Sequence, residues 1–312
     1  MMKKATNRHF GGSTNALGFT FVFILLPILA FTQAEQKQLS LAERVQNLKL
    51  DSTEIGELAY YSEGYLDRAE LISMEIERAR KFYLDSLGIE VEVKIALLDT
   101  NDYNTLSLRI PYGLPFVNNG LIFLPADTST GAVKDMYAPF SGSISEEAKS
   151  ILNSLAMDYA AALNRMVDLI GLHEIGHVQN DAMGINGRQK WFDEFMASYF
   201  GYAYMQNNDT SLAGIWDVFT HAGFEGYTPT HVSLDVFNKL YFGVGFENYG
   251  WFQNAFQERI REVYAAKGLN FIRLVKEKLS DSSFQPATAQ ELLEKLEEIE
   301  PGFIKWADSL GN

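Results

Sequence analysis

Two histidines four residues apart inside an apolar helix constrain this chain more than any other feature of its sequence. His173-Glu174-Ile175-Gly176-His177 sits in a stretch carrying Met166, Leu169, Ile170, Leu172 and Ile175. That pattern reads as a helix buried on most of its faces. Residues four apart share one side of a helix, a turn apart along its axis, so both imidazoles point the same way. Buried together, they need a partner to offset lost hydration, and a single metal ion would serve both. Glu174 lies round the helix from them. It need not coordinate the ion, and stands where a general base would meet a water molecule there. Ile175 is expected to face the core, and Gly176 to admit the close approach of another element.

The chain contains no cysteine, which removes disulfides, thiolate ligands and a catalytic thiol. A metal must then be held by histidine and carboxylate. Zinc suits such a donor set, in a tetrahedral site with one position left open. A third protein ligand is required. Metzincins place a third histidine six residues beyond the second, but Met183 stands there and Asn180 occupies their glycine position, so that family is excluded.

The best third ligand is Glu194, an acid among large apolar residues in Trp191-Phe192-Asp193-Glu194-Phe195-Met196-Ala197-Ser198. On a helix it shares a face with Ala197, Ser198 and Gly201, a stripe small enough to let the two helices approach closely. Asp193 is the neighbouring alternative, read as a solvated acid.

With HEIGH separated from Glu194 by 16 residues, and Glu194 set in WFDEFMA, the chain resembles the gluzincin metallopeptidases, in particular the peptidase MA-like group with its WxxEGxA segment. Phe195 replaces that group's glycine, and Ser198 stands where thermolysin-like members carry an acid that supports a histidine ligand. The resemblance implies zinc bound by His173, His177 and Glu194. It also implies Glu174 as the base that deprotonates the attacking water, and a peptide or protein substrate cleaved internally. The apolar strand Gly120–Pro125 would be the edge that pairs with an extended substrate. An oxyanion donor is commonly a His or Tyr downstream of the third ligand, and His221, His231, Tyr227, Tyr241 and Tyr249 are candidates. His231, in the turn-rich segment Thr228-Pro229-Thr230-His231, ranks first as a tentative catalytic residue. A zincin-fold binding protein without turnover and a zinc hydrolase of non-peptide substrates are the alternatives.

The expected fold is α+β and zincin-like: a small N-terminal sheet, an active-site helix and a helical C-terminal lobe. The spacing predicts a helix over Ser62–Leu87 ended by Gly88, strands over Glu90–Leu98 and Gly120–Pro125, and a loop over Asp127–Ser145. Helices follow over Glu146–Asn164, Met166–Asn180 and Lys190–Met205, then near residues 258, 275 and 294. The dense aromatics after Phe192 and the acidic run Glu291–Glu300 read as helical core and a solvated helix face.

Lys3, Lys4 and Arg8 precede an apolar run from Ala16 to Phe31, and Thr32-Gln33-Ala34 offers small residues for cleavage. Residues 1–34 are therefore expected to be an export signal. Residues 35–312 would be one domain, with an α/β part to about residue 180 and a helical part from 181. Its destination would be periplasmic or extracellular, without stable membrane insertion. Loss of the signal moves the formal charge from −14 to −17, since three cations and no acid leave with it. So acidic a chain makes nucleic acid an unsuitable partner.

Overall fold

Ile89, Val91 and Val93 are buried while Glu90 and Glu92 are exposed, the alternation of a half-buried extended segment. Ladder pairing starts only at Lys94. The computed structural model describes residues 39–142, 144–185, 187–222, 227–279 and 284–311, and the expected export signal lies outside them. In chain order the elements begin with α1 (Leu41–Asn47), β1 (Asp51–Thr53), β2 (Ala59–Tyr61), α2 (Leu66–Leu87), β3 (Lys94–Leu98) and α3 (Thr100–Thr105). There follow β4 (Phe116–Asn118), β5 (Leu121–Pro125), α4 (Ala132–Tyr137), α5 (Glu146–Ser154), α6 (Tyr159–Ala182) and α7 (Lys190–Asn208). The C-terminal part comprises α8 (Thr210–Ala222), α9 (Leu234–Leu240), α10 (Phe246–Lys267), α11 (Asn270–Leu279), α12 (Ala289–Ile299) and α13 (Phe303–Leu310). Short 3-10 turns, Ala138–Gly142 and Tyr241–Val244, follow α4 and α9. The architecture is mixed α+β, and residues from Leu39 onward form one compact unit. Among the described residues no helix is long and apolar enough to cross a membrane.

The sheet runs β1-β2-β3-β5-β4, with β2, β3 and β5 parallel and the two outer strands antiparallel to their neighbours. This corrects the expected edge: the apolar strand ending at Pro125 lies inside the sheet, and β4 forms the edge. All five residues of β5 are buried, as a continuous apolar run with both faces covered should be. β4 is three residues long, too short to show a period.

Two further boundaries differ. The segment expected as a loop contains α4, whose six residues make less than two turns. The break expected near Arg165 falls instead between α5 and α6. There Ala156 takes a left-handed φ of 51°, and Asp158 caps the next helix by accepting the Ala161 N–H at 2.7 Å. The active-site helix is therefore one uninterrupted rod from Tyr159 to Ala182.

α2 and β5 both pack on this rod, with the side chains of Leu124 and Ile76 meeting Gly171. Arg68 pairs with Asp168 at 2.5 Å and Arg165 with Glu75 at 2.6 Å, fastening α2 to α6 across a partly buried seam. α7 lies against the other side, and the glycines decide how near. A Cβ added to Gly176 would fall 2.3 Å from the carbonyl oxygen of Ala197, and one added to Gly201 3.2 Å from that of Leu172. The aromatics of α7 turn away into the C-terminal helices. Phe195 packs on Phe303 at 5.7 Å and on Phe271 and Trp306 at 6.3 Å, which accounts for a large ring beside Glu194. On α12, Leu292, Leu293, Leu296 and Ile299 are buried beneath its acids.

These contacts separate two glycines of one helix. Gly176→Ala should cost about 2–3 kcal/mol, because the backbone of α7 would have to withdraw. Gly171→Ala, whose new methyl meets flexible side-chain ends at 3.4 Å or more, should stay within about 1 kcal/mol of wild type. Urea unfolding of both variants measures the difference; equal costs would mean that the helix contact does not limit the packing.

Candidate metal centre

Close packing of α6 and α7 brings Glu194 to the two histidines. The Nε2 atoms of His173 and His177 stand 3.1 Å apart. Glu194 places Oε2 3.3 Å from His173 Nε2 and Oε1 3.8 Å from His177 Nε2. Around an ion with bonds of about 2.0–2.1 Å, tetrahedral ligands are separated by about 3.3–3.4 Å. The His173 distances are close to that size and the His177–Glu194 approach is somewhat longer, and the donors, two imidazole nitrogens and a carboxylate, suit a divalent transition metal. This buried group can hold a metal ion.

Two of the three residues, His173 and Glu194, are oriented from behind. His173 presents Nδ1 to Ser198 Oγ at 2.9 Å; with that nitrogen donating, Nε2 keeps its lone pair for a metal. Glu194 accepts from the Tyr241 hydroxyl on Oε1, and on Oε2 from the Tyr249 hydroxyl at 2.8 Å and the Gln253 amide at 2.9 Å. Tyr249 and Gln253 are a turn apart on α10, so one helix face supplies two of the three donors. The Lys190 ammonium lies 4.7 Å from the centre of the Tyr241 ring.

The charges follow this geometry. Burial opposes ionisation of Glu194, but the hydrogen bond from His173 and the charge of both imidazoles hold its carboxyl well below the ordinary range. Burial likewise works against the charge on His173, yet bonding to Glu194 and the acids Glu174 and Glu194 raise its pKa above the usual value. Burial takes His177 down to about 4 despite Glu194. Glu174, 6% exposed, is pushed up to about 7, chiefly by burial and partly by Glu194; His173 and the Val117 backbone N–H act in the opposite sense. The hydroxyls of Tyr241 and Tyr249 are pushed far up by burial and by the Glu194 charge, so both remain donors.

A cavity of about 650 Å³ opens onto the site. Met166, Ile170, His173, Glu174, His177 and Asp181 form a stripe of α6 along it, and Phe116, Val117 and Asn118 of the edge strand line it as well. His173, Glu174, His177 and Glu194 are thus brought together as the spacing suggested. His231 is not among the described residues that line the cavity. Its backbone is stitched to Asn248 of α10, donating to Oδ1 at 2.7 Å and accepting from Nδ2 at 2.8 Å. Tyr227 does not line the cavity either, and the His221 side chain lies outside the described residues. Tyr241 and Tyr249 face the site instead. Gln253 escaped the sequence reading; its only trace there is the four-residue spacing from Tyr249.

A proton and a metal compete for each imidazole nitrogen, so metal affinity falls as pH falls. His173, raised above the usual histidine value, takes up its proton first; His177 stays neutral until about pH 4. Between pH 7 and pH 5, zinc affinity should therefore fall with a slope near one proton, not two. Competition with a chromophoric chelator across that range measures the slope. A flat profile would remove His173 from the ligand set.

Compared with known protein families, curated proteins and solved structures, the chain matches none of them.

Proposed function

We propose that this protein is an exported zinc-dependent metallopeptidase with a zincin-like fold. The observation that carries the reading is the joint placement of His173, His177 and Glu194 close enough to share a metal ion, with Glu174 on the same cleft wall beside the outer strand β4. Zinc, when bound, supplies a Lewis acid that polarises a carbonyl and makes water more acidic. The chain's own residues do the rest. His173 and His177 offer neutral nitrogens, Glu194 offers the compensating charge, and the hydroxyls of Tyr241 and Tyr249 keep its carboxylate aimed.

Glu174 handles the proton. With its pKa near 7 it can take a proton from the attacking water as the oxygen–carbon bond forms. It can then return that proton to the departing nitrogen as the carbon–nitrogen bond breaks. An extended peptide supplies its backbone to the free edge of β4, a mode of recognition that tolerates many sequences. The export reading rests on Lys3, Lys4 and Arg8 ahead of the apolar run.

Glu174→Gln should retain stoichiometric zinc and lose turnover by at least about a hundredfold. Mapping new termini by mass spectrometry in a complex peptide mixture, with this variant as control, tests the function; cleavage undiminished in the variant would exclude Glu174 as the base. The same substitution has a second consequence. A carboxyl whose pKa is raised on folding destabilises the fold as pH rises from its unfolded value toward about 7. Metal-free Glu174→Gln should therefore be more stable than wild type at pH 8, by on the order of 1–3 kcal/mol, with the gain vanishing near pH 4. Thermal melts at both pH values read this without any assay of activity.

A further inference from the structure

Charge is unevenly placed along the cavity. Four acids line it, Glu174, Asp181, Asp193 and Glu194, with two cations, Lys190 and Arg109. All but Arg109 stand on α6 or α7, and Lys190 shares the first turn of α7 with Asp193 and lies over the Tyr241 ring. Arg109 comes from the segment between α3 and β4, and it is exposed, with no ion pair or hydrogen bond among the described residues. That segment is fastened on both sides of it. The Ile110 carbonyl accepts from the Tyr103 hydroxyl of α3 at 2.8 Å, and the Leu106 carbonyl from Arg44 of α1 at 2.6 Å. The Tyr112 carbonyl accepts from the Ala132 N–H, at the start of α4, at 2.9 Å.

β4 sets a direction along the cleft. Val117 turns its N–H to Glu174 and pairs in register with Ile122 of β5; Leu124, further along β5, meets Gly171 of α6. Because β4 and β5 are antiparallel, Phe116 lies toward the N-terminal end of α6 and Asn118 toward its C-terminal end. The segment carrying Arg109 enters β4 from the Phe116 side. Asp181 lies the other way, about 10 Å along α6 from Glu174. An added strand bonds the outward backbone groups of the edge. Val117 has an N–H to offer, but Pro115, two residues earlier, has none, so the ladder stops there and a peptide carbonyl arriving at that point meets no backbone donor.

We propose that Arg109 anchors the C-terminal carboxylate of a peptide laid antiparallel to β4, so that the cleft selects the C-terminal ends of peptides. The proposal rests on the peptidase reading for its substrate class. The planar guanidinium matches the two oxygens of a carboxylate and replaces the donor that Pro115 lacks. Laid parallel, the same peptide would bring its ammonium toward Arg109 and its carboxylate toward Asp181 and Asp193.

The test pairs turnover with binding, using the zinc-loaded full chain. One hexapeptide ending in glutamine is prepared as the free acid and as the amide, with a third peptide, an amide ending in glutamate. Mass spectrometry measures kcat/KM, and calorimetric titration into the Glu174→Gln protein measures Kd without turnover. The free acid should be favoured over its amide about fivefold in both readouts, in KM more than in kcat, which is the scale of an exposed ion pair. Added salt should shrink the preference, Arg109→Gln should abolish it and Arg109→Lys should keep part of it. Thermal melts of both variants should match wild type, since the Arg109 side chain holds nothing in place. Equal Kd values for acid and amide, or a preference that survives Arg109→Gln, would overturn the anchor. A glutamate-ending amide that binds as well as the free acid would overturn the C-terminal assignment in favour of a side-chain carboxylate. N-acetylation that tightens binding only while Arg109 is present would overturn the direction. Cleavage without the preference overturns the anchor and leaves the peptidase. An Arg109-dependent preference in binding with no cleavage of any peptide leaves the anchor and overturns the peptidase.

Discussion

Everything at the centre of this molecule depends on two helix backbones coming nearly into contact. Where Gly176 meets the carbonyl of Ala197, and Gly201 that of Leu172, there is no room for a side chain between α6 and α7. A carboxylate on one helix can reach imidazoles on the next only at such a separation, because the glutamate arm is short. The sheet and α2 press on α6 from one side, and the aromatic rings of α7 anchor it into the C-terminal helices on the other. The arrangement is thus a product of packing, set by the contact of the two helices that carry the candidate ligands and held in place by elements that contribute none.

That packing also creates the electrostatic problem that the site resolves. Glu194 is buried among aromatic rings, where an isolated anion would be costly. Its charge is met by two imidazoles in front and by three donors behind, of which Tyr249 and Gln253 come from one face of α10 and Tyr241 from the turn after α9. Glu174, on the same wall, receives no comparable set of donors, and burial dominates its behaviour. Two glutamates within one cavity are driven in opposite directions by their surroundings, one held charged and the other pushed toward its neutral form.

The local parts of this arrangement were legible in the sequence. The histidine spacing, the apolar stripe of the buried helix and the small residues Ala197, Ser198 and Gly201 beside Glu194 all have meaning within a single helix. What escaped depends on contacts between distant segments. His231 ranks ahead of Tyr241 and Tyr249 on its turn-rich segment, yet Tyr241 and Tyr249 line the cavity while the His231 backbone is stitched to Asn248. β4 and α4 were missed because three and six residues are too few to display a period. The apolar run of β5 was mistaken for an edge, although burial on both faces is what such a run implies.

α10 carries Tyr249 and Gln253, which grip Glu194, and Asn254, which enters the cavity one position round the same helix. A movement of this helix as a body carries all three side chains with it. A shift of α10 would therefore change, together, the wall of the cavity and the donors that hold Glu194. Substitutions in α4 and α8 can reshape the same cavity while leaving the donors to Glu194 at rest, so α10 is the wall of the cavity least free to change.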